Sequence, residues 1–270
     1  RFMLGVVADF NPDKDAVPFD DMPEIDRYMT IKLAELVKYV ETAYEEYEFH
    51  KVYHSIHNFC SVKLSSFYLD GSKSALYADG RDWISRRSTL TVIWKTLTSL
   101  VKMVSPIMPF TAHEIWEHLK EKTELEKNIH LSLWPEMERH VDEPLTADWT
   151  KLEELREDMK KVLEAERSAG IIGHSLDARL IVYSEDESEA AFLKKHLDDI
   201  KRINIVSEVA FEHVENMTAC DKHERIMVFA EKSVHGKCER CWEYSESVGD
   251  DEKRPELCSR CINVLDGEGR

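Results

Sequence analysis

Residues 24–48 read EIDRYMTIKLAELVKYVETAYEEYE, and the spacing of their apolar side chains decides the fold. Ile25, Tyr28, Met29, Leu33, Leu36, Val37, Val40, Tyr44 and Tyr47 recur mainly three and four residues apart. That interval lines them up on a ~100°-wide face of an α-helix, a face that must be covered by another element. Downstream, Val52, Ile56, Phe59, Cys60, Leu64, Phe67 and Tyr68 make a second stripe, broken by Asp70-Gly71. A third runs through Leu90, Ile93, Trp94, Leu97, Leu100, Val101 and Val104 and stops before Pro106. Helices with one apolar face each cover one another as an antiparallel bundle.

A short fourth helix is expected after Pro109. Thr111 and Glu114 have the spacing of a capping box and Phe110 and Ile115 that of a hydrophobic staple, with Ile115, Trp116 and Leu119 facing the bundle. Residues 121–147 are polar, carry Pro135 and Pro144, and read as a connection. A fifth helix, roughly 148–168, places Leu152, Leu155, Met159, Val162 and Leu163 on one side and ends at the GIIG of 170–173. The period then changes. Residues 178–183 are strand-like, 187–201 helical, 203–211 alternate as a strand and 225–230 form another apolar strand. The expected architecture is mainly α: an antiparallel helical bundle over 1–147, a helix with a small α/β junction module over 148–232, and a four-cysteine zinc hairpin over 233–270.

Composition narrows the function classes. No apolar run approaches the ~18 residues that would span a bilayer. The opening RFMLGVVADF is too short and too soon followed by acids to be a signal peptide, and without an initiator Met the chain reads as a piece of a longer one. The formal charge of −17 argues against broad electrostatic capture of nucleic acid and leaves only recognition through a local patch.

The cysteines are distributed unevenly. Cys60 and Cys220 stand alone, whereas Cys238, Cys241, Cys258 and Cys261 form two C-x-x-C pairs separated by sixteen residues. Two residues between cysteines let both sulfurs turn toward one point, and two such knuckles supply four thiolates in a tetrahedron. Chance pairing of reduced thiols, or two disulfides, is the plainer alternative; the clustering at one end fits a metal site in a reducing cytoplasm better. Four thiolates leave no open coordination position, so the expected Zn2+ is structural rather than catalytic.

Arg240 and Trp242 flank Cys241. An indole beside a zinc knuckle can stack on an unpaired base, and a guanidinium beside it can reach a phosphate or a base edge. The competing reading packs Trp242 over the hairpin as its one sizeable core residue. Arg81, Arg86 and Arg87 with Trp83 form the densest basic cluster in the bundle, read either as a solvated helix start or as an RNA-backbone contact. His50, His54 and His57 recur at helical spacing, but without acidic or cysteine partners at matching intervals they read as a helix face. No phosphate-cradling glycine loop and no G-x-S-x-G elbow is found, and no catalytic residue is assigned.

Taken in order, RFMLGVVADFNP, SSFYLDGSKSALYADG, SPIMPFTAHEIWEHL, GIIGHSLDARLIVY and HGKCERCWEYSE resemble the C-terminal part of bacterial isoleucyl-tRNA synthetases over essentially the whole chain. The first three are similar to the helical anticodon-binding domain shared by the class Ia enzymes for isoleucine, valine and leucine, and the terminal CxRCW module narrows the likeness to the bacterial isoleucine type. The resemblance implies docking of tRNA(Ile), contact with its anticodon loop through Arg240 and Trp242, and a cytoplasmic monomer with neither DNA nor membrane as partner. It also implies an ATP-dependent ligase whose ATP and isoleucine sites, like its editing domain, lie outside this chain, since HIGH and KMSKS motifs do not occur here.

Three rivals stand beside it. Formamidopyrimidine-type DNA glycosylases end in a similar zinc hairpin but need an N-terminal Pro-Glu, where this sequence has Arg1-Phe2. A non-enzymatic scaffold of bundle and zinc ribbon would bind no tRNA. A valine or leucine synthetase is not expected to carry the terminal zinc module.

Overall fold

The computed structural model describes residues 1–119, 123 and 125–267. Positions 121, 122 and 124 of the expected connection, and 268–270 of the terminal module, lie outside the described residues. In chain order the α-helices are α1 (Phe2–Val6), α2 (Pro12–Asp15), α3 (Glu24–Glu45), α4 (Phe49–Asn58), α5 (Lys73–Tyr77), α6 (Ile84–Val104), α7 (Pro109–Leu119), α8 (Glu143–Ser168), α9 (Glu187–Lys195), α10 (Leu197–Asn204) and α11 (Ser259–Asp266). The strands are β1 (Ala178–Tyr183), β2 (Glu208–Phe211), β3 (Thr218–Ala219), β4 (Met227–Lys232), β5 (Gly236–Lys237) and β6 (Tyr244–Ser245). Contacts divide the chain into two compact units, one of residues 1–69 with 81–143 and one of 70–80 with 144–270.

The first unit is the helical bundle. Seven of the nine apolar residues of the 24–48 stripe are buried along α3, with Ile25, Met29, Leu33 and Val40 at most 1% exposed. Tyr44 is half-buried, and Tyr47, beyond the helix at a left-handed φ of 58°, is exposed. Helix α6 is buried almost all round, with Val92, Ile93 and Met103 fully enclosed. Such a helix belongs at the centre of its unit. The second stripe folds differently from its reading. Helix α4 continues as a π-helix over Phe59–Leu69, whose buried residues Phe59, Leu64 and Tyr68 lie five and four positions apart. That interval suits the wider i→i+5 turn better than an α-helix.

The start of α7 also differs. The helix begins at Pro109, a residue suited to the first turn because it lacks an N–H. Thr111 therefore lies inside the helix instead of capping it, and Phe110 is 89% exposed, so the staple does not close. Ala112, Trp116 and Leu119 form the buried face, with Ile115 half-buried.

In the second unit, α8 ends as expected. Gly170 takes a left-handed φ of 73°, and the N–H of Ile171 reaches back to the carbonyl of Glu166 at 3.0 Å. The four-stranded sheet has the order β2-β1-β4-β3. β1 and β2 run parallel, joined through α9 and α10, while β4 is antiparallel to both β1 and β3. The strand expected over 203–211 is shortened to 208–211. Ile203 and Asn204 complete α10, and Ile205 closes it in the left-handed conformation. Residues 70–80, expected within the bundle segment 1–147, are grouped by their contacts, α5 included, with 144–270.

Candidate metal centre and the exposed tryptophan

The terminal module is too small to bury much hydrocarbon. Its core consists of Cys238, Cys258, Cys261 and Leu257, with Cys241, Val248 and Ile262 packed against them. Strands β5 and β6 form a short hairpin whose turn carries the first cysteine pair. The second pair is fixed by α11: Cys258 is its N-cap and Cys261 lies in its first turn. Gly236 has no side chain for a steric reason, since a Cβ there would meet Cγ1 of Val248 at 2.9 Å.

The four sulfurs converge, all lying within 4.8 Å of one another. Cys241 Sγ and Cys258 Sγ are 3.8 Å apart, and all six cysteines are free thiols. Zinc–thiolate bonds of about 2.3 Å arranged tetrahedrally require sulfur–sulfur edges of about 3.8 Å, whereas a disulfide would bring two sulfurs to about 2 Å. The donor set therefore fits one structural zinc ion held by Cys238, Cys241, Cys258 and Cys261.

Without the metal's charge the surroundings favour a thiolate at Cys238, whereas burial pushes the Cys241 and Cys261 thiols up. Burial alone would push the Cys238 thiol up, but N–H groups of Cys241, Cys258 and Arg240 hold it down at about 6. Zinc with four thiolates carries a net charge of −2. Two guanidinium groups offset it. Arg240 donates through Nη1 to Cys261 Sγ at 3.3 Å, and Arg260 hydrogen-bonds Cys241. Arg240 Nη1 also donates to the carbonyl of Ala78 at 2.6 Å, and Arg260 reaches Ser74 Oγ at 2.9 Å and Glu243 Oε1 at 3.0 Å. Glu243 completes this layer, accepting from Ser74 at 2.7 Å and pairing with Lys201 at 3.0 Å. Burial raises its pKa, yet the charges of Lys201 and Arg260 keep it below the ordinary value. Ser74 and Ala78 are thus fastened to the sulfur cluster through side chains one bond removed from the metal ligands, the layer that orients ligands in metal sites.

Trp242 does not take the place of a core residue over the hairpin. Its side chain is 63% exposed, and the apolar centre of the module is built on Leu257 instead. Its N–H donates to the Cys238 carbonyl at 2.9 Å, closing the knuckle, and its φ is 66°. A left-handed backbone costs a non-glycine residue about 1–2 kcal/mol. The fold therefore holds a large indole outward at a position where glycine would be cheaper.

The other basic candidates are committed elsewhere. Arg86 donates to Asp9 Oδ2 at 2.9 Å and its side chain is only 15% exposed. Arg87 donates to the carbonyls of Asp15 at 3.0 Å and Lys14 at 3.4 Å. Both tie the start of α6 to the segment carrying α1 and α2. Arg81 remains exposed and Trp83 half-buried. His50, His54 and His57 are exposed on α4, where His54 and His57 pack against the ring of Tyr53 at 5.2 and 5.7 Å. What the sequence reading missed is Arg260, Glu243, Lys201 and Ser74, a layer with no local spacing signal because its members lie far apart in the chain.

Comparison with known proteins matches residues 26–182 to the family described as the anticodon-binding domain of tRNA ligase, and residues 236–264 to the zinc finger found in FPG and IleRS. The chain is 39% identical over 268 residues to an isoleucine–tRNA ligase of Syntrophotalea carbinolica, covering 98% of this chain and 29% of that protein. It is 39% identical over 269 residues to that of Thermotoga maritima, and 40% over 268 residues to that of Bacillus mycoides, again spanning 29% of each relative's length.

Proposed function

The chain belongs to the anticodon-binding-domain family of tRNA ligases, and from that premise we propose that it docks tRNA(Ile) and offers Trp242 to an unpaired base of the anticodon loop. The observation that carries this reading is the 63% exposed indole held at a φ of 66° on a knuckle bound by cysteines. A rigid aromatic face pays little entropy when a base stacks on it. Arg240 belongs to the same contact as the residue that fixes the knuckle, its Nη1 being occupied by Cys261 and Ala78. The engagement of Arg86 and Arg87 with residues 9–15 favours a structural part for both over an RNA contact. A chain with a formal charge of −17 must rely on such local recognition, since it has no basic envelope to attract phosphates.

The whole protein, in this proposal, is a cytoplasmic, monomeric ATP-dependent isoleucine–tRNA ligase acting on RNA and not on DNA or membranes. Likeness over 98–99% of this chain to isoleucine–tRNA ligases supports the amino acid assignment. Among the described residues no helix is long and apolar enough to cross a membrane. The 233–270 segment serves as the zinc-binding module and the earlier segments as the docking platform. A gel-shift comparison tests the proposal. The chain should retard tRNA(Ile) at lower concentration than tRNA(Val), and Trp242→Ala should erase most of that difference. Equal retardation of both tRNAs by the unaltered chain would defeat it.

A further inference from the structure

The first unit contains a polar cavity whose lining shares no residue with the cysteine cluster. It has a volume of about 300 Å3 and is lined by Thr30 of α3, by Lys95, Thr98, Ser99 and Lys102 of α6, and by the segment Pro135–Glu138 with His140. The α6 residues fall at i, i+3, i+4 and i+7, a single face of the helix. Most of α6 is buried and apolar, so a stripe reading Lys-x-x-Thr-Ser-x-x-Lys on it is unexpected from the bundle alone. The two lysine Cα atoms are about 10.5 Å apart along the helix axis, within reach of two long side chains closing on one small ligand.

Neither ammonium is paired among the described residues. Lys95 and Lys102 are half-buried, and neither forms an ion pair or hydrogen bond among the described residues. Burial lowers the pKa of both, opposed by the charge of Glu138 for Lys95 and of Glu136 for Lys102. Both carboxylates lie in the segment that lines the cavity, but they are exposed to water, which screens their hold on the two ammonium groups. A partly desolvated cation without a partner is costly, and an anion entering the cavity would repay that cost for both lysines at once. The Ser99 hydroxyl has only the Met137 thioether at 3.8 Å and is free to turn toward such an anion. His140 is held rigidly at the rim, stacked on Phe19 with ring centroids 3.6 Å apart.

We propose that this cavity is a binding site for a phosphate group, gripped by Lys95 and Lys102 with Ser99 between them. The group is either a phosphodiester of a bound RNA backbone or free inorganic phosphate. The site stands apart from the Trp242 reading, because it lies wholly in the first unit and can be tested without RNA.

Equilibrium dialysis of the 270-residue chain against radiolabelled inorganic phosphate is the direct test. Lys95→Met and Lys102→Met keep an unbranched side chain one heavy atom shorter and remove the charge, and each should weaken phosphate binding about tenfold. Unchanged helical circular dichroism would confirm that both variants fold, and Trp242→Ala should leave phosphate binding intact. The double lysine variant then separates the two sources. If RNA supplies the phosphate, the slope of log K against log salt for tRNA binding falls by about one to two units. If free phosphate is the ligand, that slope is unchanged while phosphate binding is lost. No phosphate binding by the unaltered chain, or equal binding by the lysine variants, overturns the proposal.

Discussion

The guanidinium of Arg240 donates through one nitrogen to both Cys261 Sγ, at 3.3 Å, and the Ala78 carbonyl, at 2.6 Å. A side chain between the two cysteines of a knuckle thus joins a metal ligand to a helix-bearing segment more than 150 residues away in sequence. Removing it should be felt first at the metal. Arg240→Met is expected to lower zinc affinity about 10–100-fold, the range for a lost hydrogen bond to a ligand. Arg240→Lys should recover part of it. Competition with a chromophoric chelator measures both, and an unchanged zinc affinity alongside weakened RNA binding would make Arg240 a direct RNA contact instead.

Cys258→Ser should empty the module of zinc and unfold it. Cys258 is at once a ligand, the N-cap of α11 and the donor, through its N–H, to Cys238 Sγ at 3.4 Å. Metal binding contributes on the order of 10 kcal/mol to folding in comparable zinc modules, so nothing else in so small a core can replace it. Elemental analysis should show no zinc, while circular dichroism keeps the signal of the helices in residues 1–143. Retention of one zinc per chain would refute the four-ligand site.

Trp242→Gly separates display from packing. Relief of the left-handed backbone should stabilise the zinc-loaded module by about 1 kcal/mol, since glycine takes positive φ freely. The same change should cost ~1–3 kcal/mol of tRNA affinity through the lost stack. Thermal melts and gel shifts on one protein sample give both numbers. A core tryptophan would behave oppositely, its removal destabilising the module by about 3–5 kcal/mol.

Asp186 offers a pH test of the α/β portion. Its carboxylate caps α9, accepting from Ser188 and Glu189, and pairs with Arg225 at 2.7 Å. These bonds, the Ser188 hydroxyl foremost, hold it at about 2, below the ordinary 3.8. A depressed carboxyl pKa gives stability that is fully present above the unfolded value and is lost as pH falls through the folded one. The stability difference between the unaltered protein and Asp186→Asn should therefore shrink between pH 4 and 2, a window set by those two values. A carboxyl resonance for Asp186 titrating at its ordinary value would contradict this.

The bundle was legible because α3 and α6 carry long periodic stripes, and β1 was legible to the residue because six residues of strand-forming character stand between turn signals. The metal ligands were legible because two-residue spacing is itself the geometry of a knuckle. Other features depend on partners distant in sequence or on backbone choice. Nothing local in 70–80 announces that Ser74 meets Glu243 and Arg260. The charge of Arg86 could not reveal that Asp9 neutralises it. Ile205 and Trp242 adopt positive φ against their own preference, so propensity points away from the observed conformation at both. The π-turn after Asn58 was visible only as a five-residue gap between Phe59 and Leu64, easily absorbed into an α-helical stripe.

The account rests on four sulfurs sharing one cation and thereby fixing the surface that meets RNA. X-ray absorption at the zinc edge of the purified chain addresses that directly. The expected spectrum has four sulfur neighbours at about 2.3 Å and no nitrogen or oxygen in the first shell. A shell containing nitrogen or oxygen, or a chain that binds no zinc when folded, would contradict it.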